Sequence, residues 1–127
     1  MYIFDMSPLN YVCIVQPSPP AIQVTSPGST TIQGSESVAM TLTCISNGGY
    51  PQQTVEWYRR GGTPTRLTNC STTPMHDASN DLYDVTHSCT LTPLSQDDGV
   101  TFFCQSSYSD TPRLVGTAEK QLLLNCE

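Results

Sequence analysis

Six cysteines and two histidines are the residues of this 127-residue chain with chemistry of their own. Sulfur and imidazole can hold zinc, run a redox dithiol or serve a nucleophile, and thiols can pair as structural disulfides. Spacing decides among these. No two cysteines stand two to four residues apart, the gap of a zinc ligand pair, and only His76 and His87 are at hand to complete a set. No Cys-x-x-Cys occurs, so a redox dithiol has no motif. Both histidines have acidic neighbours, Asp77 and Asp84, yet neither lies in a nucleophile motif such as Gly-x-Ser-x-Gly. Asp97 and Asp98 are adjacent carboxylates that point apart on a strand, without further spaced oxygen ligands for calcium. The expectation is a chain that is not an enzyme, with no metal and no cofactor. Disulfide chemistry remains, and six cysteines in so short a chain point to an oxidising compartment.

Composition narrows the class further. Charged residues make up 13% of the chain, about half the usual share, whereas there are 14 serines, 17 threonines and 10 prolines. Such a composition suits an all-β surface whose polarity comes from hydroxyls. The formal net charge of −6 argues against nucleic acid, whose phosphates demand clustered Lys and Arg. Length predicts one domain. No apolar run approaches 18 residues, so no membrane span is expected. Met1-Tyr2-Ile3-Phe4-Asp5 lacks the basic start of a secretory leader. The expectation is an extracellular or cell-surface ectodomain piece, tied to a membrane only through other parts of a longer protein.

The elements that must position the cysteines are short strands. Residues 1–15 form a strand-like lead, and Pro17-Ser18-Pro19-Pro20 breaks it from the rest, so 1–20 is predicted as lead and joint and 21–127 as the domain. Ala21 to Thr25 and Thr30 to Gln33 make a first strand broken at Pro27-Gly28. Val38, Met40, Leu42 and Cys44 alternate with polar neighbours, the period-2 pattern of a half-buried strand. Asn47 to Pro51 is a turn cluster, Val55 and Trp57 share a strand face, and Gly61 to Pro64 turns the chain again. The polar stretch Thr65 to Ser79 has no clear placement. Val85 to Leu91 alternates, Ser95 to Gly99 makes a corner, Thr101 to Ser107 is a strand, and Lys120 to Cys126 closes the fold.

Trp57 stands 13 positions after Cys44 and 47 before Cys104. With this triad, the stretch from about Ile22 to Leu124 resembles an immunoglobulin-superfamily domain. Val85 to Leu94 followed by Asp97-Asp98-Gly99 most resembles the C2-like or I-like modules of adhesion receptors such as the nectin and nephrin groups. The resemblance implies an all-β, immunoglobulin-like Greek-key β-sandwich of two antiparallel sheets, a Cys44–Cys104 bridge between them and Trp57 packed on it. It also implies core places for Leu91 and Leu94, 13 and 10 positions before Cys104, and a corner role for Asp98, six before it.

Two positions depart from the family. Its corner tyrosine is Phe102 here, so another group must serve the corner backbone that a tyrosine hydroxyl would bind. Cys89 replaces an apolar inward residue, and its partner is expected to be Cys70, in the unplaced middle segment; two buried free thiols are the competing reading. Cys13 and Cys126 flank the domain. In this fold, several tens of ångströms can separate the start of the first strand from the end of the last, far beyond the ~7 Å Cα limit of a disulfide. A bond between copies is therefore favoured over an intramolecular one, which requires the lead to double back. Asn69-Cys70-Ser71 matches the glycosylation sequon, but its central cysteine opposes modification.

Because Trp57 and Cys104 face inward, Tyr58 and Phe103 are expected to face outward as an exposed aromatic anchor for a protein partner, rimmed by Arg59, Arg60, Tyr108 and Arg113. A bland alternative has these aromatics merely covering their sheet. The predicted function is an extracellular recognition module of a receptor or adhesion protein, binding a protein partner or itself. The alternative is an immune-type variable-like domain that takes antigen or carbohydrate through Ser46 to Gln53 and Ser106 to Leu114; a soluble inhibitor or a spacer is a third class. Extra strands from the middle segment on the Trp57 sheet would favour the variable-like form.

Overall fold

The computed structural model describes residues 2–7, 10–23, 31–108 and 116–125, with 2–7 and 10–14 described by their backbone alone. Eleven strands follow in chain order: β1 (Tyr2–Ser7), β2 (Asn10–Val15), β3 (Ala21–Ile22), β4 (Thr31–Ser35), β5 (Met40–Gly49), β6 (Thr54–Arg59), β7 (Thr65–Arg66), β8 (Cys70–Asp77), β9 (Leu82–Leu91), β10 (Thr101–Ser107) and β11 (Gly116–Asn125). One 3-10 turn, Ser95–Asp97, makes the corner before β10.

Two sheets form the sandwich, β4-β11-β10-β6-β7 and β3-β5-β9-β8. β5 and β6 lie in different sheets, as do β9 and β10, so the chain crosses between layers as a Greek key does. The broken first strand has a clear purpose: β3 pairs with β5, and β4 then pairs with β11 in the opposite sheet. That β4–β11 pairing is parallel, so one sheet is mixed where antiparallel order was expected. The predicted single lead strand is instead an antiparallel hairpin, β1 with β2, in a sheet of its own. It is tied to the domain by paired bonds between Val15 and Tyr50, with N···O distances of 2.9 and 3.1 Å.

Alternation builds the core. Leu42 and Cys44 of β5, Val55 and Trp57 of β6, Val85 and Cys89 of β9, Phe102 and Cys104 of β10, and Leu122 of β11 are all buried from opposing inner faces. Cys44 and Cys104 are bonded between the sheets, and the Trp57 indole donates to the His87 carbonyl at 3.2 Å. That bond satisfies the polar end of a wholly buried ring.

Three expected core positions turn out otherwise. Leu94 is 48% exposed, because Pro93 fills the core place and Leu94 already starts the corner. Its backbone N–H donates to the Asp97 carboxylate at 2.8 Å, which turns the side chain outward. Asp98 is exposed rather than a core residue; it accepts from the Leu124 backbone N–H at 2.9 Å and so ties the corner to β11. Its neighbour Asp97 makes the ion pair with Arg59, at 2.9 Å. Val38 is 58% exposed, since the turn at Glu36 and Ser37 delays the strand until Met40. Leu91 is partly buried against the core, as expected.

The corner survives the loss of the tyrosine hydroxyl. Asp97 N–H donates to Leu94 O at 2.8 Å, Val100 N–H to Asp97 O at 3.1 Å, and Gln121 Nε2 to Gly99 O at 3.0 Å. Backbone turns and one exposed amide therefore serve the Leu94, Asp97 and Gly99 carbonyls of the corner without a tyrosine hydroxyl. Phe102 itself fills the core, 1% exposed.

Candidate recognition surface

β6 and β10 pair antiparallel with Tyr58 directly opposite Phe103. Trp57 and Cys104, one position away on each strand, point into the core, so strand geometry turns Tyr58 and Phe103 outward. The two rings stack with centroids 5.0 Å apart and planes 16° from parallel. Directly opposed aromatic pairs of this kind also stabilise the sheet, by about 0.2–1 kcal/mol.

The stack is not bare. Arg60 lays its guanidinium over the Phe103 ring, 4.8 Å from the centroid, and reaches Glu119 of β11 at 2.5 Å. Phe103 is consequently only 7% exposed, against the expectation of an exposed anchor. A cation over an aromatic face is attracted by its quadrupole, and the long arginine stem screens the ring from water. Tyr58 stays partly open and its hydroxyl donates to Glu56 at 3.3 Å, while Glu56 also pairs with Arg66 at 3.3 Å. Burial, and after it the Glu56 charge, pushes the Tyr58 hydroxyl above its ordinary pKa. The result is an aromatic stack flanked by two exposed ion pairs of mixed sign. Among the described residues, Arg59, Arg60, Arg66 and Lys120 all belong to this sheet or its border, whereas the opposite sheet carries Asp77 and Asp84.

Tyr108 does not rim this face. It is 7% exposed at the far end of the sandwich, and its hydroxyl donates to the Pro51 carbonyl at 2.9 Å with the Val15 carbonyl at 3.3 Å. Burial pushes this hydroxyl up to about 12. Its neighbour Gln53 is also buried and donates to the Ser46 and Tyr83 carbonyls at 3.0 and 3.2 Å. The expected turn at Asn47 is instead an irregular extension of β5, which still pairs with β9 at Gly49 and Tyr83. Arg59 points to the corner instead of the rim. Arg113 lies outside the described residues. Glu56, Arg66 and Glu119 are rim members that sequence reasoning missed. Glu56 shares the outward parity of Tyr58 and was legible; Glu119 was not, because the last strand starts four residues earlier than its pattern suggests.

On the opposite sheet, Cys70 of β8 sits directly across from Cys89 of β9 and the two are bonded, with Cα atoms 4.0 Å apart. The middle segment is thus an edge strand, all but Cys70 exposed along its length. Beside the bridge, His87 is buried, with its Nδ1 2.8 Å from Thr72 Oγ1. Burial pushes the His87 imidazole below its ordinary pKa, with the Glu56 charge opposing more weakly. His76 stacks on Tyr83 and pairs with Asp81 at 2.5 Å. Cys13 lies on β2, opposite Phe4, and Cys126 lies outside the described residues, so their pairing stays an expectation.

The comparisons with known proteins agree with this architecture. A search of curated proteins returns no significant match. Among solved structures, the crystal structure of Rst D1–D2 superposes with a TM-score of 0.73 at 23% identity, covering 88% of this chain and 51% of that one. The full ectodomain (Ig1–Ig3) of mouse nectin-like molecule 4 gives 0.69 at 16% identity, over 91% of this chain and 38% of that one. Bovine butyrophilin gives 0.63 at 19% identity, over 93% and 52%. The chain therefore spans about half, or less, of the length of these structures, and the likeness is one of fold. The middle segment gives β8 to the sheet opposite Trp57 and the two-residue β7 to the Trp57 sheet itself, beside β6. A strand in β7's place is one of the two by which a variable-type sheet exceeds a constant-type one. The family of CD80-like C2-set immunoglobulin domains matches residues 20–113, and this chain belongs to it.

Proposed function

We propose that this domain is an extracellular, non-catalytic recognition module of a cell-surface receptor or adhesion protein, and that it binds protein through the outer face of the β6–β10–β11 sheet. The observation that carries the reading is the Tyr58–Phe103 stack capped by Arg60 and bordered by the Arg60–Glu119 and Arg66–Glu56 pairs. Tyr and Arg are the residue types that dominate binding energy at protein interfaces. Exposed ion pairs of this kind contribute little to the fold, about 0–1 kcal/mol each, and are free to exchange partners. With both signs beside one aromatic stack, the face is complementary to a copy of itself, which favours a two-fold homophilic contact. The relatives in fold include the ectodomain of a nectin-like molecule and a butyrophilin, which supports the receptor class.

Sedimentation velocity over a wide concentration range tests this. The wild-type domain is expected to self-associate, and Tyr58→Ala with Arg60→Glu to shift it to monomer while leaving the circular-dichroism spectrum unchanged. A strictly monomeric wild type overturns the homophilic contact. Equal association of the variant overturns the choice of face.

A further inference from the structure

The strand register assembles a donor set that chain spacing conceals. One ligand atom each from Cys70, His87 and Cys89 lie within 4.8 Å of one another, although 19 positions separate the two cysteines. His87 and Cys89 share the inner face of β9, two residues apart, and Nε2 lies 3.6 Å from the Cys89 sulfur. Thr72, paired opposite His87, holds the other ring nitrogen at 2.8 Å. That is how a metal-ligating imidazole is normally held: one nitrogen is fixed by a hydrogen bond and the other faces the metal position.

We propose that reduction of the Cys70–Cys89 bridge turns this part of the β8–β9 pair into a zinc site, with both sulfurs and His87 Nε2 as ligands. Two thiolates and one imidazole are a donor set typical of zinc and leave one tetrahedral position for water. The two bridges differ in access. Cys44 and Cys104 are both 0% exposed between the sheets, whereas in the second bridge Cys89 is 0% exposed but Cys70 is partly exposed on the edge strand.

The reductant is a dithiol. One of its thiolates attacks Cys70 Sγ and Cys89 leaves as a thiolate; its second sulfur then displaces Cys70 and closes an intramolecular disulfide in the reductant. Two electrons and two protons pass to the protein, giving two thiols. Zinc then displaces both thiol protons to solvent. The edge that the disulfide staples under oxidising conditions is held by a metal under reducing ones.

Cobalt(II) serves as the probe, in protein carrying Cys13→Ser and Cys126→Ser so that only two pairs of cysteines remain. The protein is reduced with dithiothreitol, desalted without air and titrated with cobalt, and mass spectrometry after alkylation locates the reduced pair. The expected result is alkylation at Cys70 and Cys89 alone. One cobalt should bind, with thiolate charge-transfer and tetrahedral d–d absorption, and be displaced by zinc; oxidised protein should show neither band. His87→Gln should weaken cobalt binding at least tenfold. Thr72→Val, which leaves every ligand in place, should weaken it about 10–100-fold. No charge-transfer band after reduction overturns the proposal, as does reduction of Cys44–Cys104 first. Unchanged affinity in Thr72→Val overturns the proposed site even if His87→Gln does not fold.

Discussion

Phe103 shows how much a single neighbour decides. Parity along β10 turned its ring outward as expected, yet Arg60 from the end of β6 covers it to 7% exposure. The direction of a strand side chain is local, so Trp57 and Cys104 disclose it; what lies on top of the ring depends on where another strand ends. Leu94 failed for a related reason, because Pro93 took the core place one residue earlier. His87 adds a testable electrostatic consequence. Its folded pKa is lowered by burial, so the unfolded chain binds its proton more readily. Its contribution to stability is present above the unfolded value of about 6.5 and is lost as pH falls through that value toward the lower folded one. Glu56 opposes the shift but does not reverse its direction. Thermal melts between pH 7.5 and 5 should therefore show a fall in Tm in the wild type that is smaller in His87→Gln, and equal slopes would contradict this account.

At the scale of elements, the strands with clean alternation were legible and the polar one was not. Thr101 to Ser107 matches β10, and the strand read from Val85 lies inside β9, because buried and exposed positions alternate there. β8 is exposed at nearly every position, so no periodicity marks it. Only the cysteine inside it betrayed its placement, and the Cys70–Cys89 bridge was expected for that reason. An edge strand so exposed has little burial to hold it, and Pro74 at its centre cannot donate to a sheet ladder. The bridge, closing 19 residues, should then contribute about 3 kcal/mol in the chain-entropy account. Replacing both Cys70 and Cys89 by Ala should lower the urea-unfolding free energy by that amount. Hydrogen exchange should show the loss of protection concentrated in the β8–β9 amides, and a loss spread evenly through both sheets would contradict the edge-staple role.

For the whole molecule, the Cys44–Cys104 bridge plays a different part. It joins the two sheets at the centre of the core and closes 60 residues, which corresponds to about 4 kcal/mol by the same account. Replacing both by Ala should cost more than the edge bridge does, since two core volumes shrink as well. Loss should appear as lower global stability with cooperative unfolding retained; a smaller effect than that of Cys70 and Cys89 would refute this ranking. Local facts in the chain were enough to dictate this layer of the molecule. The period-2 alternation, the Cys44-Trp57-Cys104 order and the turn residues each act over a few positions, and together they dictate two sheets with known inner faces. What needed the tertiary structure is everything set by pairing between distant segments. Registry put Cys70 opposite Cys89 and Thr72 opposite His87, and sheet order put Arg60 against Phe103 and Glu119. The outward Tyr58–Phe103 pair and the Cys70–Cys89 bridge were expected from the sequence. The Arg60 cap with its Glu119 partner, and the placing of His87 and Thr72 beside the bridge, join residues far apart in the chain and became visible only in the folded molecule.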